Sequence, residues 1–161
     1  MAAPNLSAHS DLRPSQPKTN RRNSYKIATL GSHTALQILK GAHDEGFKTI
    51  CVATKVRVSH YNRFNFIDQI IKIAKFSDFP KIENQLVNTN AIIIPHGSFV
   101  AYLGLSQNKK MKVAYFGNKA VLDWESDRLK QRDWLQKANV PVPKRFKKGD
   151  KIDRPVIVKA Y

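Results

Sequence analysis

Four short clusters of small, polar or basic residues each follow an apolar run that has the length of a β-strand. The clusters are Gly31-Ser32-His33-Thr34, Thr54-Lys55-Val56-Arg57, Pro95-His96-Gly97-Ser98 and Gly117-Asn118-Lys119. Small residues let a ligand approach the backbone, and the N-terminus of a following helix presents unpaired N–H groups to an anion. Lys55, Arg57 and Lys119 add positive charge as candidate phosphate contacts. These residue types favour a phosphate-bearing small molecule as the ligand.

Each cluster also has an ordinary structural explanation. Gly-Ser-x-Thr before a helix is typical of a turn with a helix cap. A single His33 or His96 is more often a hydrogen-bonded structural histidine than a functional one, and Lys55 and Arg57 fit solvated loop charges. The ligand interpretation therefore depends on whether the clusters share one edge of a sheet, since open α/β sheets bind ligands outside the carboxyl ends of their strands.

The hydrophobic pattern predicts a βαβ unit in the first part of the chain. Residues 25–30 and 49–53 have the composition of buried strands, and the apolar residues between them recur at helical spacing. We expect Ser32 or Thr34 to cap this helix and Gly46 to end it. Strand, helix and strand within about thirty residues imply a right-handed crossover between parallel strands.

The same reasoning extends the sheet along the chain. Residues 66–79 fit either a strand or an amphipathic helix, and we favour the strand. We further predict a helix at 82–87, a central strand at 91–94, a helical turn at 98–105, a strand at 112–116 and a helix at 121–138. In the last helix, the large apolar residues are expected in the core: Trp124, Leu129, Trp134 and Leu135. The predicted class is α/β, a Rossmann-like, doubly wound parallel sheet.

Composition limits the chain to an ordinary single-core protein. It has 161 residues, 42% of them hydrophobic, and no apolar run approaches the length that spans a bilayer. Residues 1–24 are poor in large apolar side chains, so we expect a disordered basic tail rather than a secretory signal. Cys51 is the single cysteine, which rules out an internal disulfide and favours a reducing, cytoplasmic location.

A formal charge of +16 admits more than one partner. Clustered Lys and Arg suit nucleic acid, yet the basic residues are scattered and do not alternate with aromatic stacking platforms. This weighs against nucleic acid and leaves a phosphorylated small molecule or simply a basic surface. A non-enzymatic nucleic-acid binder that uses the tail and residues 144–151, or a nucleotide-sensing module, stays open as the alternative.

Missing motifs narrow the ligand further. Gly31 stands alone after the first predicted strand, so there is no G-x-G-x-x-G for a dinucleotide, and no P-loop is present. No His/Cys set has zinc spacing. Ser98 lacks the glycine two residues on that a nucleophile elbow requires.

Several blocks of the sequence together resemble the amino-terminal part of the archaeal formate-dependent AICAR ligases. The blocks are IATLGSHTALQILKGAHDEGFKTICV, IIIPHGSFVAYLG, FGNK and WESDR, and the resemblance covers about residues 25–159. These ligases, also called 5-formaminoimidazole-4-carboxamide ribonucleotide synthetases, belong to the ATP-grasp superfamily. The resemblance implies a tail at 1–24, a pre-ATP-grasp domain at 25–139 and the beginning of an ATP-grasp nucleotide domain at 140–161.

The resemblance also implies a reaction in purine (IMP) biosynthesis. ATP phosphorylates formate to formyl phosphate, and the 5-amino group of AICAR attacks it to give the formylated nucleotide, ADP and phosphate. The implied substrates are AICAR, formate and ATP, the implied cofactors are ATP and Mg²⁺, and the implied location is the cytoplasm. Full-length chains of this family are expected to assemble as homo-oligomers.

Matching the family's blocks assigns roles to individual residues. His33 and Ser98 correspond to residues that contact AICAR, and Lys159 corresponds to a lysine that meets an ATP phosphate. The neighbours expected beside AICAR are Ser32, Thr34, His96 and Gly97. Lys119 stands where relatives commonly carry Arg, which would turn a bidentate phosphate grip into a point contact. Because the chain ends at Tyr161, before the glycine-rich loop and the acidic residues for magnesium, we expect an inactive fragment of a longer reading frame.

Overall fold

The computed structural model describes residues 24–158, which fold around a five-stranded parallel sheet. The predicted tail up to residue 23 and Lys159 lie outside the described residues. The strands are β1 (Lys26–Leu30), β2 (Lys48–Thr54), β3 (Gln69–Ile73), β4 (Ala91–Ile93) and β5 (Ala114–Tyr115). They lie in the order β3-β2-β1-β4-β5, and every neighbouring pair is parallel. The predicted α/β class is confirmed.

Both faces of the sheet are covered, because its central strands are apolar on both sides. Leu30 and Val52 point into a core shared with helix α3 (Phe79–Asn88) and with Phe99. Cys51 and Ala53 alternate to the other face and pack against α1 (Ala35–Asp44) and α2 (Val58–Tyr61). This is the doubly wound arrangement that near-continuous apolar strands favour.

The strand order reverses beside β1. The chain runs outward through β1, β2 and β3, then crosses to the opposite side of β1 to form β4. The Thr29 hydroxyl donates to the carbonyl oxygen of Ile94 at 2.8 Å, which joins the two strands near their carboxyl ends. The crevice between β1 and β4 is therefore the topological switch point of the sheet, where open α/β sheets bind ligands.

The residue predicted to end helix α1 is confirmed, but the side-chain cap predicted at its start is not. Gly46 takes a φ of +82°, as expected for a residue that closes a helix. Thr34 occupies the cap position with no side-chain hydrogen bond, and the Ser32 carbonyl, rather than its hydroxyl, accepts from Ala35 N–H at 2.8 Å. The prediction that Ser32 or Thr34 caps the helix with its hydroxyl is wrong.

The strand and helix predicted in the middle of the chain are confirmed as β3 and α3. Beyond β4, the predicted helical turn is a π-helix (Phe99–Leu103) that continues into α4 (Gly104–Lys110). Strand β5 is shorter than the predicted 112–116. The Glu83 carboxylate accepts from the backbone N–H groups of Lys112 and Val113, so these groups do not join the sheet.

The single helix predicted at 121–138 is wrong. Two helices replace it, α5 (Leu122–Glu125) and α6 (Arg128–Lys137), because Asp127 leaves the helical conformation and caps the second one. The expected core residues are exposed instead, by 41% for Trp124, 45% for Leu129, 51% for Trp134 and 42% for Leu135.

The last described residues also differ from expectation. An apolar run at 155–158 has the composition of a strand, yet no strand forms in residues 151–158. Ile157 and Val158 are 85% and 89% exposed. An apolar composition supplies a strand only where a neighbouring strand accepts its backbone hydrogen bonds.

Candidate functional site

The candidate site lies where the loops after β1 and β4 meet. The Ser98 hydroxyl donates to the Ser32 hydroxyl oxygen across 3.1 Å, and both residues are buried, at 1% and 3% exposure. Neighbouring parallel strands deliver their following loops to the same edge, so this contact is a direct result of the topology. The structure therefore brings the first and third sequence clusters together at the switch point.

His96 joins these two loops through both of its ring nitrogens. Nε2 lies 3.0 Å from the Leu30 carbonyl oxygen, which can only accept, so Nε2 carries the proton. Nδ1 then accepts from the backbone N–H of Ser98 at 3.3 Å. Burial lowers the pKa of His96, the Leu30 carbonyl opposes this, and the charge of His33 lowers the pKa further. A neutral His96 thus fixes Ser98 against the end of β1.

The exposed members of the two clusters form the rim of the crevice. His33 has a φ of +35°, a backbone conformation that is uncommon for a residue with a side chain. His33, Thr34 and Gly97 are all exposed, and His33 directly follows the buried Ser32. An exposed imidazole beside the buried Ser32–Ser98 pair is well placed to contact a ligand.

The second cluster reaches the crevice through Arg57. This residue ends a 3₁₀ turn (Lys55–Arg57) directly after β2, and its Nη1 donates to the Gly31 carbonyl oxygen at 3.0 Å. The guanidinium carbon lies 5.4 Å from the ring centroid of Phe76, within the range of a cation–π contact. Lys55 is exposed at the start of the same turn.

Tyr102 completes the crevice, although no pattern in the sequence indicates it. Its ring stacks on Phe76 with centroids 4.8 Å apart and an interplanar angle of 20°. The Ser32 hydroxyl and the Arg57 guanidinium near its hydroxyl lower the pKa of Tyr102. Tyr102 lies in the π-helix, whose winding differs from the α-helical period, so no spacing rule pointed its ring at Arg57.

The fourth cluster is held elsewhere, at the edge strand β5. Lys119 Nζ donates to the Met111 carbonyl oxygen at 2.6 Å and lies 5.2 Å from the ring centroid of Tyr115. The side chain of Asn118 accepts from Ala120 N–H at 2.9 Å. The contacts of Lys119 therefore do not join it to the Ser32–Ser98 pair, whereas the other three clusters meet there.

Residues 24–158 contain no group of three or more His, Cys, Asp or Glu side chains placed to hold a metal ion. Over the same range, no helix is both long and apolar enough to cross a bilayer.

A family model described as "Protein of unknown function (DUF1246)" matches residues 27–146. The chain belongs to this family. The matched range includes β1 apart from its first residue, the strands β2 to β5 and every residue of the crevice described above.

Two curated relatives of this chain carry a more specific name than the family model does. A protein of Pyrococcus abyssi named 5-formaminoimidazole-4-carboxamide-1-(beta)-D-ribofuranosyl 5'-monophosphate synthetase is 47% identical over 136 residues. The alignment covers 84% of this chain and 39% of the relative. A Methanopyrus kandleri protein of the same name is 48% identical, with 83% and 38% covered. The resemblance indicated by the sequence blocks is confirmed, and the chain spans about two fifths of these relatives' length.

Solved structures agree on the fold. An IMP biosynthesis protein PurP from Thermococcus kodakaraensis matches with a TM-score of 0.68 and 34% identity, covering 78% of this chain and 40% of that one. The biotin carboxylase subunit of pyruvate carboxylase matches with a TM-score of 0.58 and 18% identity, covering 73% and 28%. The second likeness concerns the fold alone.

Proposed function

We propose that this chain is the amino-terminal, AICAR-binding part of a ligase that formylates AICAR with formate and ATP in IMP biosynthesis. AICAR is 5-aminoimidazole-4-carboxamide ribonucleotide, the amine that would precede the formamido compound in the relatives' name. The observation that carries the proposal is the buried Ser32–Ser98 contact at the switch point, with a cationic Arg57 beside it. A ribonucleotide offers both the hydroxyl groups and the phosphate that such a crevice can hold.

The crevice residues differ in the hydrogen bonds and charge that they can offer a ligand. Ser98 is held in place by its own backbone N–H bond to His96, so its hydroxyl is presented in a fixed direction. His33 stands exposed at the rim, where its imidazole can orient the nucleotide. Arg57 carries a permanent positive charge and can donate to phosphate oxygens. Together these groups would bind AICAR and orient it.

The remaining chemistry needs groups beyond residues 24–158. In the proposed reaction, ATP supplies the phosphoryl group that activates formate. The described residues contain no group of three or more metal-ligating side chains, and Lys159, the proposed ATP contact, lies outside them. The part proposed for this chain is therefore to position the amine of AICAR. We place the protein in the cytoplasm, in keeping with a buried, unpaired Cys51.

Isothermal titration calorimetry with AICAR tests the proposal. We expect the unmodified chain to bind AICAR more tightly than AMP, which has the same phosphate but another base. His33→Asn should weaken AICAR binding about fivefold to tenfold, since one hydrogen bond is lost. Asn tolerates the left-handed backbone at this position, so the loop should keep its shape.

His43→Asn is the matched control, because His43 is exposed on α1 away from the rim. It should bind AICAR as the unmodified chain does. Equal affinities for AICAR and AMP, or no binding of either, would contradict the proposed function. Equal AICAR binding by His33→Asn and the unmodified chain would remove His33 from the site.

A further inference from the structure

An aromatic platform supports one side of the crevice. Phe76 is buried within the core cluster of the sheet, and both Arg57 and Tyr102 pack against its ring. Phe76 follows β3 directly, in the 3₁₀ turn Phe76–Asp78, so its position is fixed by the strand. This platform brings a guanidinium and a phenol to the same place from two different elements.

The Tyr102 hydroxyl lies beside two groups that donate hydrogen bonds. They are the Ser32 hydroxyl and the Arg57 guanidinium, and both lower the pKa of Tyr102. Ser98 already donates to Ser32, and Arg57 can only donate. A phenol in these surroundings keeps its own O–H to give to a ligand. Among the described residues, none accepts that proton.

Arg57 likewise keeps unused donors. A guanidinium has five N–H groups, of which the Gly31 carbonyl oxygen engages one. No carboxylate pairs with Arg57 in the described part of the chain. Its charge is therefore not paired with a carboxylate, and the Tyr102 hydroxyl beside it can also donate. An oxyanion with several acceptor oxygens matches both groups.

We propose that Tyr102 donates its hydroxyl proton to the 5'-phosphate of the nucleotide and forms, with Arg57, the subsite that selects a phosphate monoester. This inference rests on the proposed function and adds to it a residue and a substrate class. The relatives' name includes a ribofuranosyl 5'-monophosphate, a ligand that carries such a group. Tyr102 is 40% exposed, so its outer side is open to a ligand.

The test compares three probes in the unmodified chain and in Tyr102→Phe. The probes are AICAR, its dephosphorylated riboside and ribose 5-phosphate, each titrated by calorimetry or by NMR chemical shifts. Tyr102→Phe keeps the ring on Phe76 and removes only the hydroxyl. We expect it to weaken AICAR and ribose 5-phosphate about tenfold or more, because a hydrogen bond to a charged group is lost. Riboside binding should not change.

Tyr25→Phe is the matched control. Tyr25 is also exposed, at 47%, but precedes β1 at the opposite edge of the sheet, so all three affinities should stay unchanged. Equal loss of riboside and nucleotide binding in Tyr102→Phe would overturn the inference, as would no loss at all. If AICAR binds normally to Tyr102→Phe, the proposed function survives alone. If Tyr102→Phe weakens the binding of ribose 5-phosphate but the unmodified chain does not prefer AICAR to AMP, only the phosphate subsite survives. If the unmodified chain binds none of the probes, both the phosphate subsite and the proposed function are contradicted.

Discussion

Gly31 determines how closely the layers pack beneath the crevice. A Cβ at this position would lie 2.7 Å from Cε2 of Tyr61, 3.0 Å from Sγ of Cys51 and 3.1 Å from Cβ of Ala53. The Tyr61 ring is buried, so it cannot move aside into solvent. The Gly31 carbonyl oxygen also accepts a hydrogen bond from Arg57. This glycine therefore positions the Arg57 guanidinium and also leaves room for the Tyr61 ring.

We predict that Gly31→Ala lowers the free energy of unfolding by about 1–3 kcal/mol, because the added methyl overpacks the core. Gly41→Ala is the control. Gly41 lies within α1 with nothing inside 4 Å of an added Cβ, so it should gain about 1 kcal/mol of helix propensity. Urea unfolding of both variants measures the difference. Similar stabilities for the two alanine variants would show that the contact with Tyr61 is relieved at no cost.

At the scale of elements, the prediction of the sheet was correct and the prediction of the last helices was not. The strands at Ala28 and Val52 follow from apolar runs that can be buried only between two helical layers. The shared edge of their loops then follows from parallel pairing, which is why Ser32 and Ser98 could be expected to meet. Their roles toward a ligand stay predictions, as do the domain boundaries.

Two features of the elements depend on contacts that no local pattern records. Tyr102 faces Arg57 because the helix after β4 is wound as a π-helix, and spacing rules assume the α period. Trp124 and Trp134 were predicted to lie in the core, yet both are about half exposed. Their rings lie beside each other, with centroids 6.5 Å apart. Periodicity shows that residues share a face but not whether another element covers it.

Asp127 accounts for the division between α5 and α6. Its Oδ1 accepts from Leu129 N–H at 2.8 Å and from Lys130 N–H at 3.1 Å, with an extended backbone at the cap itself. Both donors belong to the first turn of α6, where no carbonyl of the helix can reach them. The sequence Ser-Asp in residues 126–127 is a helix-start signal that the apolar pattern obscured.

We predict that Asp127→Ala weakens α6 by about 1 kcal/mol, because two backbone donors lose their acceptor. Since α6 buries none of its residues, the loss should be local. Amide hydrogen exchange of residues 129–137 should therefore speed up about fivefold, while exchange in β1 and β2 stays constant. Asp133→Ala, at an exposed position within α6, should leave these rates nearly unchanged. Equal rates in both variants would contradict capping by Asp127.

At the scale of the whole molecule, the acidic residues are placed so that the crevice keeps its charge. The chain has 28 Lys and Arg against 12 Asp and Glu, and several of the acids pair with nearby lysines on the surface. Such pairs are Lys40–Asp44, Lys48–Asp68, Lys81–Asp78 and Lys109–Asp123. None of these carboxylates pairs with Arg57. An uncompensated cation on a low-dielectric aromatic wall attracts anions more strongly than a solvated one.

This placement predicts an anion effect that depends on one arginine. At equal ionic strength, phosphate should raise the melting temperature above that in chloride. At ten times its Kd, the bound anion adds about 1.4 kcal/mol to the free energy of unfolding, or roughly 4 °C to the melting temperature. Phosphate also stabilises proteins in general by exclusion from their surface, and a melting curve alone does not separate the two effects. Arg57→Gln separates them, because it removes the bound part and keeps the general part. Arg63→Gln, at an exposed arginine bonded to His60, should keep both parts. The same increment in all three proteins would place the phosphate effect outside the crevice, since exclusion does not distinguish one arginine from another.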